Sequence, residues 1–217
     1  MPSRFNQRTV LGLVVVLLGV FAFVVQADAA VEGDGLVAFD PGLTSDFVAH
    51  RTAVLSTVAR AATFLGEIPV LTILTIVAAA LLRLFTHRWR PAIVLAAGMI
   101  GAATLTYTLK VLIGRHRPDA SLVLGAVSNG FSFPSGHSLS SAVFFLLLAG
   151  LLWYSKASRA IKLAGTAVAV VLTAAVGLSR IYLGYHWATD VLAGWTVAAT
   201  WLCLIATTVH FAGRRRH

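Results

Sequence analysis

Charge is what this chain has least of. Only 12% of its 217 residues are Asp, Glu, Lys or Arg, where soluble domains carry about 25%. Carboxylates are the scarcest part, eight against seventeen Lys and Arg. Cysteine is reduced to Cys203, inside an apolar stretch. One thiol makes no internal disulfide, so no covalent framework holds the fold. No internal repeat or low-complexity tract is present, which excludes solenoids and arrays. The shortage of charge excludes an ordinary water-soluble domain. In its place stand 58% hydrophobic residues and a mean hydropathy of +0.86. The formal charge of +9 does not signal nucleic acid, because the basic residues lie in short clusters between apolar runs rather than on one patch.

Six apolar runs have the ~20-residue length that a ~30 Å hydrocarbon layer demands of a helix. They are placed near 9–27, 68–86, 91–113, 137–155, 160–178 and 190–211. The expected fold is therefore an all-α polytopic membrane bundle, one domain over 1–217. Segment 28–66 is the longest region outside the spans. Phe47, Val54, Leu55, Val58, Ala62 and Leu65 can line one helical face there, as in a helix lying on a membrane surface. The first run follows Arg4 and Arg8, continues for sixteen apolar residues from Val10, and is followed by "ADAA". It reads as an uncleaved anchor in preference to a cleaved signal. Cleavage would leave the later spans where they are.

Charge gives the orientation. Arg4 and Arg8, Arg83, Arg88 and Arg90, Lys156, Arg159 and Lys162, and Arg214, Arg215 and Arg216 fall on alternate connections. They make up eleven of the seventeen basic residues, with no acid among them. All eight acids fall on or border the opposite side. The positive-inside rule makes the basic side, with both termini, cytoplasmic. Arg51, Arg60, Lys110, Arg115, Arg117 and Arg180 break the trend. Cations kept at a membrane edge against it point to a site.

Three blocks carry the chemistry. In "KVLIGRHRP", Lys110 and Arg117 are seven apart, about two helical turns, and would form a fork for an anion. Snorkelling to the headgroups is an equally open reading of the pair taken alone. Arg115 and His116 could hold a second phosphate or a headgroup, but solvated loop charges are the simpler expectation. In "PSGH", Pro134 suits a first helical turn. The Ser135, Gly136 and His137 amides then lack helical acceptors and could face an anion, with the Ser135 hydroxyl beside them. Taken alone, this block is read in preference as a capped helix start with an incidental histidine. In "SRIYLGYHWATD", His186 and Asp190 are four apart, so a carboxylate can fix the imidazole tautomer. Arg180 adds a planar cation suited to phosphate oxygens. Here the alternative is a capping Asp190 and an interfacial His186. Together the blocks put two histidines, a carboxylate and three cations on one membrane face, an inventory for phosphoryl transfer.

These blocks resemble the signature of the type 2 phosphatidic acid phosphatase family, related to the vanadium haloperoxidases: K-x6-RP, PSGH, SR-x5-H-x3-D. Lys110, Arg117 and Pro118, then Pro134, Ser135, Gly136 and His137, then Ser179, Arg180, His186 and Asp190 match every fixed position. The resemblance implies the family's phosphatase core and a phosphohistidine on His186, oriented by Asp190. It further implies that His137 protonates the leaving oxygen and then helps to activate water. Lys110, Arg117, Arg180, Ser135 and the Gly136 amide would hold the phosphoryl oxygens, with no metal or other cofactor. The sequence shows no carboxylate cluster suited to magnesium. The implied substrate is a lipid phosphate, its tail in the bilayer and its phosphate at the outer face. Phosphatidate, phosphatidylglycerol phosphate and polyprenyl diphosphates are all handled in the family, and an envelope pathway is favoured. Alternatives are a lipid phosphotransferase of the same superfamily or an anion transporter. The latter explains the cations but not His137 or the His186–Asp190 pair. A haloperoxidase is disfavoured, since that relative is usually soluble. Oligomeric state is not readable.

Overall fold

Apolar runs in a chain with so little charge form helices because every backbone donor and acceptor must be satisfied without water. A computed structural model describes residues 7–214. The terminal cations Arg4, Arg215 and Arg216 lie outside the described residues, as do the side chains of Arg8 and Arg214. The helices are α1 (Gln7–Glu32), α2 (Asp40–Ala49), α3 (Ala53–Phe64), α4 (Ile68–Thr86), α5 (Arg90–Ile113), α6 (Gly136–Trp153), α7 (Arg159–Tyr182) and α8 (Ala188–Arg214). Six of them, α1 and α4 to α8, are long and apolar enough to cross a membrane. Among the described residues there is no strand.

Helix α6 is the axis of the bundle. Its Leu139, Ala142 and Val143 are buried with Ala102 of α5 and Val197 and Ala198 of α8. Helix α7 packs along it, α1 lies on α8, and α4 leans on α5. Outward faces remain apolar, with Leu17, Phe21, Ile73, Phe85, Ile100 and Val171 all exposed. The interior is rich in small and hydroxyl-bearing residues, including Ser135, Ser138, Ser141, Thr173 and Ser179. That inversion suits a lipid solvent, where close backbone packing and interhelical hydrogen bonds replace apolar burial as the source of cohesion.

Segment 28–66 differs from expectation. Helix α1 runs on to Glu32, and a short 3-10 turn over Gly35–Phe39 leads into α2. Thr52 then breaks the chain, its hydroxyl capping α3 by accepting from the Leu55 amide at 3.2 Å. The six residues expected on one face are divided between these pieces. Phe47 packs edge-on against Tyr182, whereas Val54, Leu55 and Val58 point outward and α3 meets α7 through its other side, around Ala59. Arg51 secures the break by donating to the carbonyls of Tyr182 and Leu122.

Helix α5 approaches α8 through glycine. A Cβ on Gly101 would overlap the Trp201 ring, whose indole N–H donates to the Gly98 carbonyl at 2.9 Å. Gly101→Leu is expected to destabilise the fold by about 1–3 kcal/mol through overpacking. The check is the thermal unfolding midpoint of the purified variant in detergent.

Candidate active site

The C-termini of α5 and α7 and the N-termini of α6 and α8 meet at one end of the bundle, because successive spans alternate in direction. The three sequence blocks ride on those ends. Lys110 is in the last turn of α5, and the helix stops at Gly114, whose φ of 68° is left-handed. Arg117 therefore lies in the following loop. The two-turn helical argument for the Lys110–Arg117 fork fails, although both side chains do converge. Loop 130–132 gathers them: the Lys110 ammonium donates to the carbonyls of Phe131 and Ser132 at 2.6 and 2.9 Å, and Arg117 Nε donates to that of Gly130 at 3.0 Å.

The second block also departs in detail. Pro134 precedes the helix instead of entering its first turn, and Ser135 is the N-cap. Ser135 is buried, its amide donates to the Asp190 carbonyl at 2.9 Å, and its hydroxyl accepts from that of Ser138. Its amide is thus occupied. Gly136 and His137 head the helix, where amides lack intrahelical acceptors. Gly136 packs against α5, since a Cβ there would come within 2.9 Å of Thr106.

His186 lies just before α8, and Asp190 occupies that helix's first turn. His186 Nδ1 is 3.2 Å from Asp190 Oδ2, with both side chains buried. The same oxygen accepts from the Trp187 amide at 3.0 Å, so Asp190 caps the helix and holds the imidazole together. With Nδ1–H donating to the carboxylate, Nε2 carries the lone pair. It lies 3.2 Å from Arg117 Nη1, which also donates to the Tyr185 carbonyl at 2.8 Å. Burial first, then the charges of Arg180, Lys110 and Arg117, push His186 well below its ordinary value. Both causes favour the neutral ring, the form in which a nitrogen can act as a nucleophile.

Arg180 is buried near the end of α7. Its guanidinium donates to Thr63 Oγ1 at 2.6 Å and stacks 4.1 Å from the Tyr185 ring centroid, yet Nε has no hydrogen-bond partner among the described residues. His137 Nε2 is likewise without one. It sits 3.3 Å from Glu67 Oε1, close but not aligned as a hydrogen bond. His137 is near enough to Arg180, Arg117 and Lys110 to feel their charge. These two buried nitrogens, without a hydrogen-bond partner among the described residues, lie near Lys110 and Arg117, an arrangement that can receive an anion, since such groups otherwise sit without compensation.

Three participants went unread in the sequence. Arg115 is no solvated loop charge: its side chain is mostly covered and pairs with Asp190 at 2.7 Å and Asp40 at 2.8 Å. Asp40 comes from the start of α2, and nothing local in the sequence distinguishes it from its acidic neighbours. Glu67, the residue before α4, reaches His137 only through the tertiary fold. His116, by contrast, leaves its side chain exposed and offers its carbonyl to Trp187 and Ser132. On the outer side of Arg115, a cavity of about 500 Å³ opens between Ala30, Val37, Ile113 and Trp187.

A helical membrane bundle with a histidine–carboxylate pair inside a ring of cations defines a phosphate-handling membrane protein. Residues 64–214 match the PAP2 superfamily, and the chain belongs to that family. It is 30% identical to a Bacillus subtilis protein named phosphatidylglycerophosphatase B over 83% of this chain and 88% of that one. A Sulfolobus acidocaldarius undecaprenyl-diphosphatase is 29% identical over 62% of each chain. The crystal structure of a transmembrane PAP2 type phosphatidylglycerolphosphate phosphatase from Bacillus subtilis superposes with a TM-score of 0.83 at 26% identity, covering 90% of this chain and 96% of that one. The chain is thus a multi-pass membrane enzyme of the phosphatase class.

Replacing the planar Arg180 by lysine removes the fork and its stacking while keeping the charge. Arg180→Lys is expected to weaken inhibition by inorganic phosphate about tenfold or more, by loss of charge-assisted bonds. Product-inhibition constants for the two proteins at equal pH decide it.

Proposed function

We propose that the protein hydrolyses a phosphate monoester or diphosphate of a lipid through a phosphohistidine at His186. The observation that carries this reading is the buried His186–Asp190 pair facing the unpartnered nitrogens of Arg180 and His137. The phosphoryl group enters among Lys110, Arg117 and Arg180 and takes over Arg117 from His186 Nε2. That nitrogen attacks phosphorus in line as the lipid oxygen leaves. His137 gives the leaving oxygen its proton, so the lipid departs as a neutral alcohol or a shorter phosphate. Asp190 holds the Nδ1 proton and offsets the positive charge growing on the imidazole. A water then gives a proton to His137 and attacks the phosphohistidine, releasing phosphate and restoring both rings. Lys110, Arg117, Arg180, Ser135 and the Gly136 amide neutralise the equatorial oxygens in this scheme, which uses no metal.

The substrate class follows from where the cradle lies. It sits at the ends of four apolar helices whose outer faces suit lipid, so an amphipathic molecule can keep its tail in the bilayer and present its phosphate at the edge. The relatives named for phosphatidylglycerophosphate and undecaprenyl diphosphate support a glycerolipid or polyprenyl carrier. The basic connections support a reading with the termini in the cytoplasm and the site outside.

His186→Ala is expected to fold normally and to lose at least about 1,000-fold in phosphate release, as removal of a covalent nucleophile does. Phosphate release from a panel of lipid monophosphates and diphosphates in detergent measures it. Turnover close to wild type in the folded variant rules out the nucleophile; absence of release by the wild type across the panel favours anion transport. His137→Ala is expected to slow lipid substrates by about 100-fold or more while sparing an aryl phosphate with an acidic phenol, which leaves without a proton. Equal losses on both substrates would remove the acid role.

A further inference from the structure

Asp190 is bound on both sides. One carboxylate oxygen faces His186 Nδ1; the other accepts from Arg115 Nη1 at 2.7 Å, and Ser132 Oγ lies 3.4 Å from it. Arg115 then reaches with Nη2 to Asp40 Oδ2 at 2.8 Å, and its Nη1 also donates to Thr189 Oγ1 at 2.8 Å. Asp40 completes the circuit by accepting from the Thr189 amide at 3.0 Å and from the Thr189 hydroxyl. Asp40 and Asp190 are almost fully buried, and the Arg115 side chain is 9% exposed. One guanidinium thus spans two carboxylates, a geometry that its planar fork permits and a lysine point charge does not reproduce. Of the four linked residues, Asp40 is the distant one in sequence, carried in on α2 from outside the apolar spans.

We propose that Arg115 and Asp40 are positioning residues for phosphoryl transfer, acting through Asp190 to hold His186 in its attacking tautomer and to set the charge behind it. This rests on the reading of His186 as the nucleophile. The electrostatics follow from the pairing. Asp190, Arg115 and Asp40 together carry one net negative charge, which becomes neutral when the imidazole turns positive on attack. Without Arg115, two buried carboxylates confront each other, and Asp190 either rotates away or takes up a proton; both outcomes cost the Nδ1 hydrogen bond. Without Asp40, Arg115 pulls on Asp190 uncompensated, and the charge behind His186 falls to zero. His186 is faced from the remaining elements by Arg117, Lys110, Arg180 and His137, all cationic or neutral. Asp40 is therefore favourable only while Arg115 is present.

That dependence predicts a reversal of sign. Asp40→Asn keeps an acceptor for the Thr189 amide and is expected to lower kcat about tenfold with KM within about threefold, the scale of lost support to a histidine-bound carboxylate. Arg115→Met is expected to lower kcat about 100-fold. Adding Asp40→Asn to Arg115→Met should raise kcat above that of Arg115→Met alone, because it removes the unpaired second carboxylate. Full-length protein in detergent, assayed on the lipid phosphate that the wild type turns over best, supplies the values, with size-exclusion profiles confirming folding. A double variant worse than Arg115→Met overturns the proposal, because the unpaired Asp40 carboxylate is then not what depresses kcat. Should Arg115→Met not fold, wild-type kcat in folded Asp40→Asn overturns it equally. His186→Ala, assayed alongside, separates the two readings. Turnover by His186→Ala fails the nucleophile, whereas an inactive His186→Ala beside unaffected Arg115 and Asp40 variants fails this inference alone.

Discussion

Two buried carboxylates sharing one guanidinium are the constraint around which this end of the molecule is arranged. Charges removed from water cost several kcal/mol each unless paired, and breaking such a pair by removing one partner costs about 3–5 kcal/mol. Asp40, Arg115 and Asp190 satisfy one another only if α2, the loop after α5 and the start of α8 are all in place. Around them, further polar contacts follow. Asp190 caps α8 through the Trp187 amide, and its carbonyl accepts from Ser135 at the head of α6. Ser132 ties the loop to the same carboxylate. The positions of these groups are set by the pairing of buried charges.

The cations on the other side of His186 are held differently. Lys110 and Arg117 are fixed by carbonyls of loop 130–132, without a carboxylate partner of their own among the described residues. Arg180 is fixed by Thr63 and the Tyr185 ring. Neutral acceptors orient a cation and leave its charge unspent. Asp40 and Asp190 are grouped behind His186, whereas Lys110, Arg117 and Arg180 lie on its other side, where Glu67, beside His137, is the nearby carboxylate among the described residues. The separation of paired from unpaired charge is a property of the packed bundle, and it serves both anion binding and the neutrality of the imidazole.

Much of this was legible in advance. Six runs of sufficient apolar length could only be helices, and they match α1 and α4 to α8 within a few residues at most ends. The motif residues were found by their types and order, and the structure brings His137, His186, Asp190, Lys110, Arg117 and Arg180 to one end of the bundle. The periodicity behind two of them was misleading. Gly114 ends α5 before Arg117, so convergence comes from the loop and not from a helical face. The same limit applied to α2 and α3, because a capping Thr52 divides a stretch whose apolar residues seemed to share one side.

What the linear chain determined by itself was the solvent it folds in, the number of spans and the chemical inventory at their ends, because hydrophobic length and residue type are local properties. Only the tertiary structure decided who pairs with whom. Arg115 looked like a loop charge, Asp40 one acid among several, and Glu67 had no partner in sight. Their roles depend on contacts between residues up to 150 positions apart, such as Asp40 with Thr189, and burial of a charge is set by packing that no short window of sequence encodes.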